Sequence, residues 1–300
     1  MKKFLSAGLL ALVAPPLMAS GTGEGRILAT GAVSTIDGTA GGGIVPMAIL
    51  AGYGTEEQHG GTVFGSRVET QDFNLRAFGG AWTWRNRVEL SVARQELDVS
   101  AFPPLAFQEV RTNSVGLKVR LAGDILYTDL PQISLGAIYR ESINPGLAAL
   151  GGASVPQALG AESNYGADIY LAATKVFLGG PFGRNWLVNG VIRSTEANQG
   201  GLLGFGGDKR DGRSTVGEAS LGMFINKHWL VGAEYRQHPE NLTALNQDEW
   251  YDVFVAWFPN KRWSVTGAWV DLGEISSVAV PFDNDSRSQT GAYLSLSGAF

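Results

Sequence analysis

The sequence predicts an all-β chain, an antiparallel up-and-down barrel that crosses a membrane, and three observations carry this reading. Apolar and polar residues alternate with period 2 in stretches of about ten residues along most of the chain. Six of the eight tryptophans stand beside short polar turns. The final stretch alternates in the same way and stops on an aromatic, Phe300.

Composition narrows the class. Of 300 residues, 28 are acidic and 23 basic, giving a net charge of −5. There is no cysteine, which excludes disulfides, thiolate metal sites, a Cys nucleophile and a lipidated Cys. An acidic chain without a Lys/Arg cluster is no candidate for nucleic-acid binding. Past the N-terminus no apolar run reaches the roughly 18 residues that a membrane helix needs.

Residues 1–19 read as a cleaved signal peptide. Lys2 and Lys3 supply the positive start, residues 4–13 the apolar stretch, and Pro15 and Pro16 end any helix before a cleavage site at Ala19. Removal leaves 21 basic against 28 acidic residues, a charge of about −7. The expected organisation is therefore a signal peptide, 1–19, and one barrel domain, 20–300.

Strands are expected at 27–35, 46–54, 61–69, 73–84, 87–97, 110–121, 131–141, 164–177, 186–196, 214–225, 228–237, 249–258, 262–271 and 288–300. The clearest carry one apolar face each. Val115, Leu117, Val119 and Leu121 share a face, as do Tyr251, Val253, Val255 and Trp257. Trp263, Val265, Gly267 and Trp269 form a third. This makes about 14 strands, an even number as bacterial barrels require, with 12 or 16 as alternatives. The first two segments are Gly-rich, and Gly41-Gly42-Gly43 blurs their ends. Trp82 and Trp84 share phase with Arg76, so a β-bulge near Gly79-Gly80 is expected to turn the indoles outward.

Period alone does not separate a membrane barrel from a soluble sandwich; the turns do. Trp82, Trp84, Trp186, Trp229, Trp257 and Trp263 flank polar turns, where an aromatic girdle meets the headgroups. Connections alternate short (85–87, 226–228, 259–262) and long (98–109, 142–163, 197–213, 238–248, 272–287), as periplasmic turns and extracellular loops do. The C-terminal strand, in which Ala292, Leu294, Leu296, Gly298 and Phe300 share a face, resembles the insertion signal of bacterial outer-membrane barrels. That resemblance implies an outer-membrane location, with Phe300 as the membrane-insertion signal. The implied partners are outer-membrane lipid, lipopolysaccharide and the barrel-insertion machinery, with an envelope protein as a further candidate.

Inward positions carry the charges. Lys118, Arg120, Arg140 and Arg193 fall on one part of the wall and Glu218, Glu234 and Asp252 on another, with Asp168 and Arg236 interrupting. Two readings stay open at this point: an open lumen with a transverse field, or charges paired across a filled one. The loops at 101–107, 146–150 and 201–205 are apolar, which fits either a greasy vestibule or loops packed over the barrel top.

Catalysis and cofactors find no support. His59, His228 and His238 fall on separate turns, the first two expected on the periplasmic side and the third at the outer rim. No nucleophile-elbow or zinc-helix motif occurs, and the only hydrolase candidate at the rim is His238. No cofactor and no metal are expected.

The segments Leu203-Gly204-Phe205-Gly206-Gly207-Asp208, Val231-Gly232-Ala233-Glu234-Tyr235-Arg236, Phe254-Val255-Ala256-Trp257, Pro259-Asn260-Lys261 and Val270-Asp271-Leu272-Gly273 carry a second resemblance. They resemble a family of exported Gram-negative proteins filed as a domain of unknown function. The resemblance implies the compartment and brings no site residues. The expected function is a passive, porin-like channel for small solutes, amphiphilic or hydrophobic ones included. The alternatives are a closed barrel serving an envelope complex and a rim-sited lipid hydrolase.

Overall fold

The computed structural model describes residues 25–98, 109–144, 146, 151–244, 247–273 and 288–300. The expected signal peptide and the apolar stretches 101–107 and 147–150 lie outside the described residues. A two-residue hairpin, β1 (Val33–Ser34) and β2 (Ala40–Gly41), comes first. Twelve long strands follow: β3 (His59–Thr70), β4 (Asn74–Trp84), β5 (Val88–Asp98), β6 (Glu109–Ala122), β7 (Gln132–Ser142) and β8 (Tyr165–Phe177). The second half holds β9 (Asn185–Thr195), β10 (Ser214–Asn226), β11 (Trp229–Arg236), β12 (Trp250–Trp257), β13 (Trp263–Asp271) and β14 (Thr290–Ala299).

Each long strand pairs antiparallel with its sequence neighbours, and β14 pairs with β3 to close the barrel. The expected segments from 61–69 onward match these twelve strands to within two residues at either end. The first two do not. Residues 27–35 and 46–54 are not wall strands, so the barrel has twelve strands, the smaller of the expected alternatives, and not fourteen. The segment that contains them runs through the lumen, and residues 31–53 are buried almost without a break. A wall strand keeps one face toward lipid and so alternates; a segment enclosed on every side does not. Between Ile27 and Thr55 the sole charged residue is Asp37, as full enclosure demands.

The wall shows the alternation the sequence carries. On its outside stand Leu90 at 57% exposure, Ile192 at 62% and Leu294 at 60%, with many like them. On its inside, each of the twelve strands contributes at least one buried polar side chain, from Thr62 on β3 to Ser297 on β14. Apolar outside and polar inside, with no free edge, is the arrangement that lets strands cross lipid, since every backbone group finds a partner. The chain is a membrane-spanning β-barrel. Trp82, Trp84, Trp229, Trp257 and Trp263 face outward at the short-turn end, Trp229 stacked on Trp257 with ring centroids 5.8 Å apart.

The bulge expected near Gly79-Gly80 is absent. β3 and β4 stay in continuous register from His59↔Trp84 to Glu69↔Asn74. Trp82 and Trp84 face outward because Arg76, in the same phase, also faces outward, close to the tight 71–73 turn. An arginine near a strand end can reach the headgroup zone, so no phase change is needed. Register does shift at Arg120/Ala122 and Phe224/Asn226, both at the short-turn end.

Candidate functional site

The lumen is the site, and the segment 25–58 fills it. Its entry is fixed by Arg26, whose guanidinium donates to the carbonyls of Leu50 (3.1 Å) and Gly52 (2.8 Å) and to the Asn86 side chain. Gly52, with φ of +80°, turns the chain where it passes β3 and the C-terminus. There the Phe300 carbonyl accepts from Tyr53 (3.1 Å) and Gly61 (2.9 Å), so the last residue of the barrel holds both the first wall strand and the enclosed segment. The Phe300 ring lies 5.8 Å from Trp82.

Deeper inside, Asp37 is the anchor. Arg140 of β7 grips it with two parallel bonds of 2.8 Å, Nε to Oδ1 and Nη2 to Oδ2, and Gln95 donates to Oδ1 at 2.9 Å. Arg140 also donates to Asp168 (2.6 Å), Asp168 accepts from Arg193 (3.1 Å), and Arg193 forks onto Glu218 at 2.5 and 3.2 Å. Arg236 closes the circuit, 3.5 Å from Glu218 and 3.8 Å from Asp37, and donates to the Ile44 carbonyl. Three guanidinium groups thus face three carboxylates, all buried. The wall supplies Asp168 and Glu218; the third acid, Asp37, comes from the enclosed segment. Without it the wall would hold an excess positive charge away from bulk water.

Two further wall acids seat the segment through its backbone. Glu89 accepts from Thr39 Oγ1 (2.6 Å), Ala40 N (3.1 Å) and Ala51 N (2.8 Å). Beside it, Lys118 lies 3.3 Å from Glu89 and donates to the carbonyls of Ala40 and Ile49. Across the lumen Glu234 accepts from Ile44 N (2.9 Å), Val45 N (3.3 Å) and Ser220 Oγ. A methyl group on Gly42 would overlap the Glu234 carboxylate, which explains a glycine there. Gln132 and Ser134 hold the Ala48 carbonyl, and Asn189 holds that of Pro46.

The long-loop end is covered from the other side. Residues 196–207 fold inward: Leu202, Leu203 and Phe205 are buried, and Asn198 bonds the carbonyls of Leu203 and Gly206. Trp250 donates to Gln199. For the stretch 201–205, packing over the barrel top is therefore the outcome, and no vestibule forms there. A short helix, α1 (Val155–Ala158), lies in the neighbouring loop. His238 packs its ring 4.5 Å from Trp250. Burial, with the charge of Arg236 next, holds its imidazole well below its ordinary pKa, so it is neutral at neutral pH.

Of the nine residues the sequence points to, eight lie buried inside the barrel: Lys118, Arg140, Asp168, Arg193, Glu218, Glu234, Arg236 and Asp252. Asp252 sits directly across from Glu234 on β12. Arg120 is the exception. It lies at the short-turn end, half-buried, donating to Gly123 (2.6 Å) and pairing with Asp124 at 3.2 Å. The charges do not form two opposed walls either. In the circuit Arg140, Arg193 and Arg236 alternate with Asp37, Asp168 and Glu218, and Lys118 pairs with Glu89, while Glu234 and Asp252 are acidic neighbours on β11 and β12. Sequence reasoning missed Asp37 and Glu89. The signal for Asp37 was its isolation, the one charge in a long apolar, Gly-rich stretch.

The histidines stay apart: His59 and His228 at the short-turn end, His238 at the other. Among the described residues no group of His, Asp and Glu side chains is arranged to hold a metal ion.

The chain belongs to the family described as "Protein of unknown function (DUF3034)", whose profile matches residues 30–297 and so includes most of the enclosed segment. No curated protein is matched. Among solved structures, the NanC porin is 9% identical with a TM-score of 0.47, covering 79% of this chain and 98% of its own. The KdgM porin is 10% identical with a TM-score of 0.47, over 80% of this chain and 99% of its own. Omp33, an outer membrane protein of Acinetobacter baumannii, is 10% identical with a TM-score of 0.45, over 82% and 100%. These are distant likenesses of shape. What makes this chain a membrane barrel is its own apolar belt, its girdle and its closed strand order.

Proposed function

We propose that the protein is an outer-membrane channel for small solutes, closed in this structure by its own segment 25–58. The observation that carries this reading is the chemistry of the wall. All twelve strands present buried polar side chains to the lumen, and much of the hold on the segment comes from hydrogen bonds and ion pairs. Such a wall is solvated as readily by water as by the segment, whereas a lumen meant to stay dry is filled more stably by apolar packing. Two non-glycine residues of the segment, Ala29 and Ala32, are held at φ of 69°, a strain that leaving the lumen would release.

A second reading, a permanently closed barrel that serves as a structural or binding partner in the envelope, is supported by residues 196–207, which pack over the long-loop end independently of the segment 25–58. A rim-sited lipid hydrolase has less support, since both ring nitrogens of His238 are buried. Planar-bilayer recording separates the first two. A chain lacking residues 25–52 is expected to fold into a heat-modifiable barrel and to give stable conductance steps that the intact protein does not give. A folded, truncated barrel that stays silent would establish the permanently closed reading instead.

A further inference from the structure

We propose that the cavity at the short-turn end of the lumen binds an acyl chain of an anionic amphiphile. The cavity has a volume of about 420 Å³, within the range of small-molecule sites. It lies between the enclosed segment, which supplies Ile27, Leu28 and Ile49, and a patch of wall formed by Val176, Leu187 and Phe224. This patch is unlike the wall above it. The inward positions next to the membrane edge on β8, β9 and β10 are apolar, whereas one step deeper Thr174 and Asn189 bond each other at 2.7 Å. An apolar pocket facing an aqueous compartment is filled most favourably by a hydrocarbon chain.

Charge and position choose the kind of chain. Arg184 and Lys227 both line the cavity, both are exposed, and neither pairs with a carboxylate among the described residues. Two uncompensated cations at an apolar mouth complement a carboxylate or phosphate head. The mouth stands at headgroup level, because Trp186 and Trp229 of the girdle are close neighbours in sequence of Arg184 and Lys227. On the adjoining turn Leu178, also part of the lining, and Phe182 are 64% and 86% exposed and extend apolar surface from the belt toward the cavity. An amphiphile of the inner leaflet can therefore enter tail first with its head left at the two cations. Because the segment 25–58 forms one side of the cavity, occupancy also favours the seated segment over the withdrawn one. The site itself does not depend on whether the barrel conducts.

A free fatty acid and an anionic phospholipid offer this same chemistry, and photolabelling distinguishes them. The protein is reconstituted in zwitterionic nanodiscs with either diazirine-bearing palmitate or diazirine-bearing phosphatidylglycerol, irradiated, digested and mapped by mass spectrometry. Adducts are expected on 125–126, 176–187 and 224–227, besides the general labelling of the lipid-facing belt. The double variant Arg184→Glu/Lys227→Glu, and separately Leu187→Trp, which fills the cavity, should each lose the cavity adducts severalfold while belt labelling stays constant. Labelling by one probe alone assigns the source. Adducts confined to the belt, or cavity adducts unchanged in both variants, would overturn the proposal.

Discussion

Replacing Asp37 by Ala is expected to unseat the segment 25–58 while leaving the barrel closed on itself. The carboxylate takes three short hydrogen bonds, two from Arg140 and one from Gln95, and faces Arg236 at 3.8 Å. Removing one partner of a buried ion pair leaves the other charged and unsolvated, at a cost of about 3–5 kcal/mol. That cost falls on the seating of the segment, because the twelve-strand ladder does not pass through it. In nanodiscs, protease is then expected to cut within 25–58, while the heat-modifiable shift of the barrel persists. Asp37→Asn, which keeps an acceptor but loses the charge, should give an intermediate cleavage rate. Resistance equal to the native protein would mean that the charge circuit does not hold the segment.

The second large effect concerns the lipid face. Val255 is exposed on β12, between the girdle residue Trp257 and Tyr251. Val255→Arg places a cation in hydrocarbon one outward position from the girdle, at a cost below the roughly 2–4 kcal/mol of the midplane. Its inward neighbour Ala256 is buried against Leu230, Phe254 and Phe258. Ala256→Arg is also costly, through overpacking of a filled lumen. The two penalties separate by medium: reversible unfolding in bilayers and in short-chain detergent should show the Val255→Arg penalty shrink in detergent and the Ala256→Arg penalty persist. A Val255→Arg loss that is the same in both media would argue against a lipid-facing site.

Much of the wall was legible in the sequence because one physical rule writes it. Lipid outside and polar groups inside force period 2, and each apolar face from Val115 to Trp269 could be assigned from that alone. The enclosed segment was harder because it obeys no period. Stretches such as 46–54 are apolar and small in both phases, which reads equally as a strand with blurred edges or as chain buried on all sides. Its isolated Asp37 and triple glycine were the available cues. The pairing of the charges was not legible. Arg140 and Arg193 meet Asp168 only because neighbouring strands bring them to one level, and Asp37 arrives from a distant part of the chain. The outward Arg76 misled for a related reason: near a strand end, facing outward means facing headgroups rather than hydrocarbon.

The proposed channel is closed by the segment 25–58 and opens when that segment leaves the lumen. The chain has no cysteine, so a single engineered pair reports without background. Ser34 on β1 and Thr62 on β3 have their side-chain oxygens 3.2 Å apart, which suits a disulfide between the two positions. In the background of Asp37→Ala, Ser34→Cys/Thr62→Cys is expected to be silent in planar bilayers when oxidised and to show stable conductance steps when reductant is added to the same membrane. Equal conductance in the oxidised and reduced states would contradict the account.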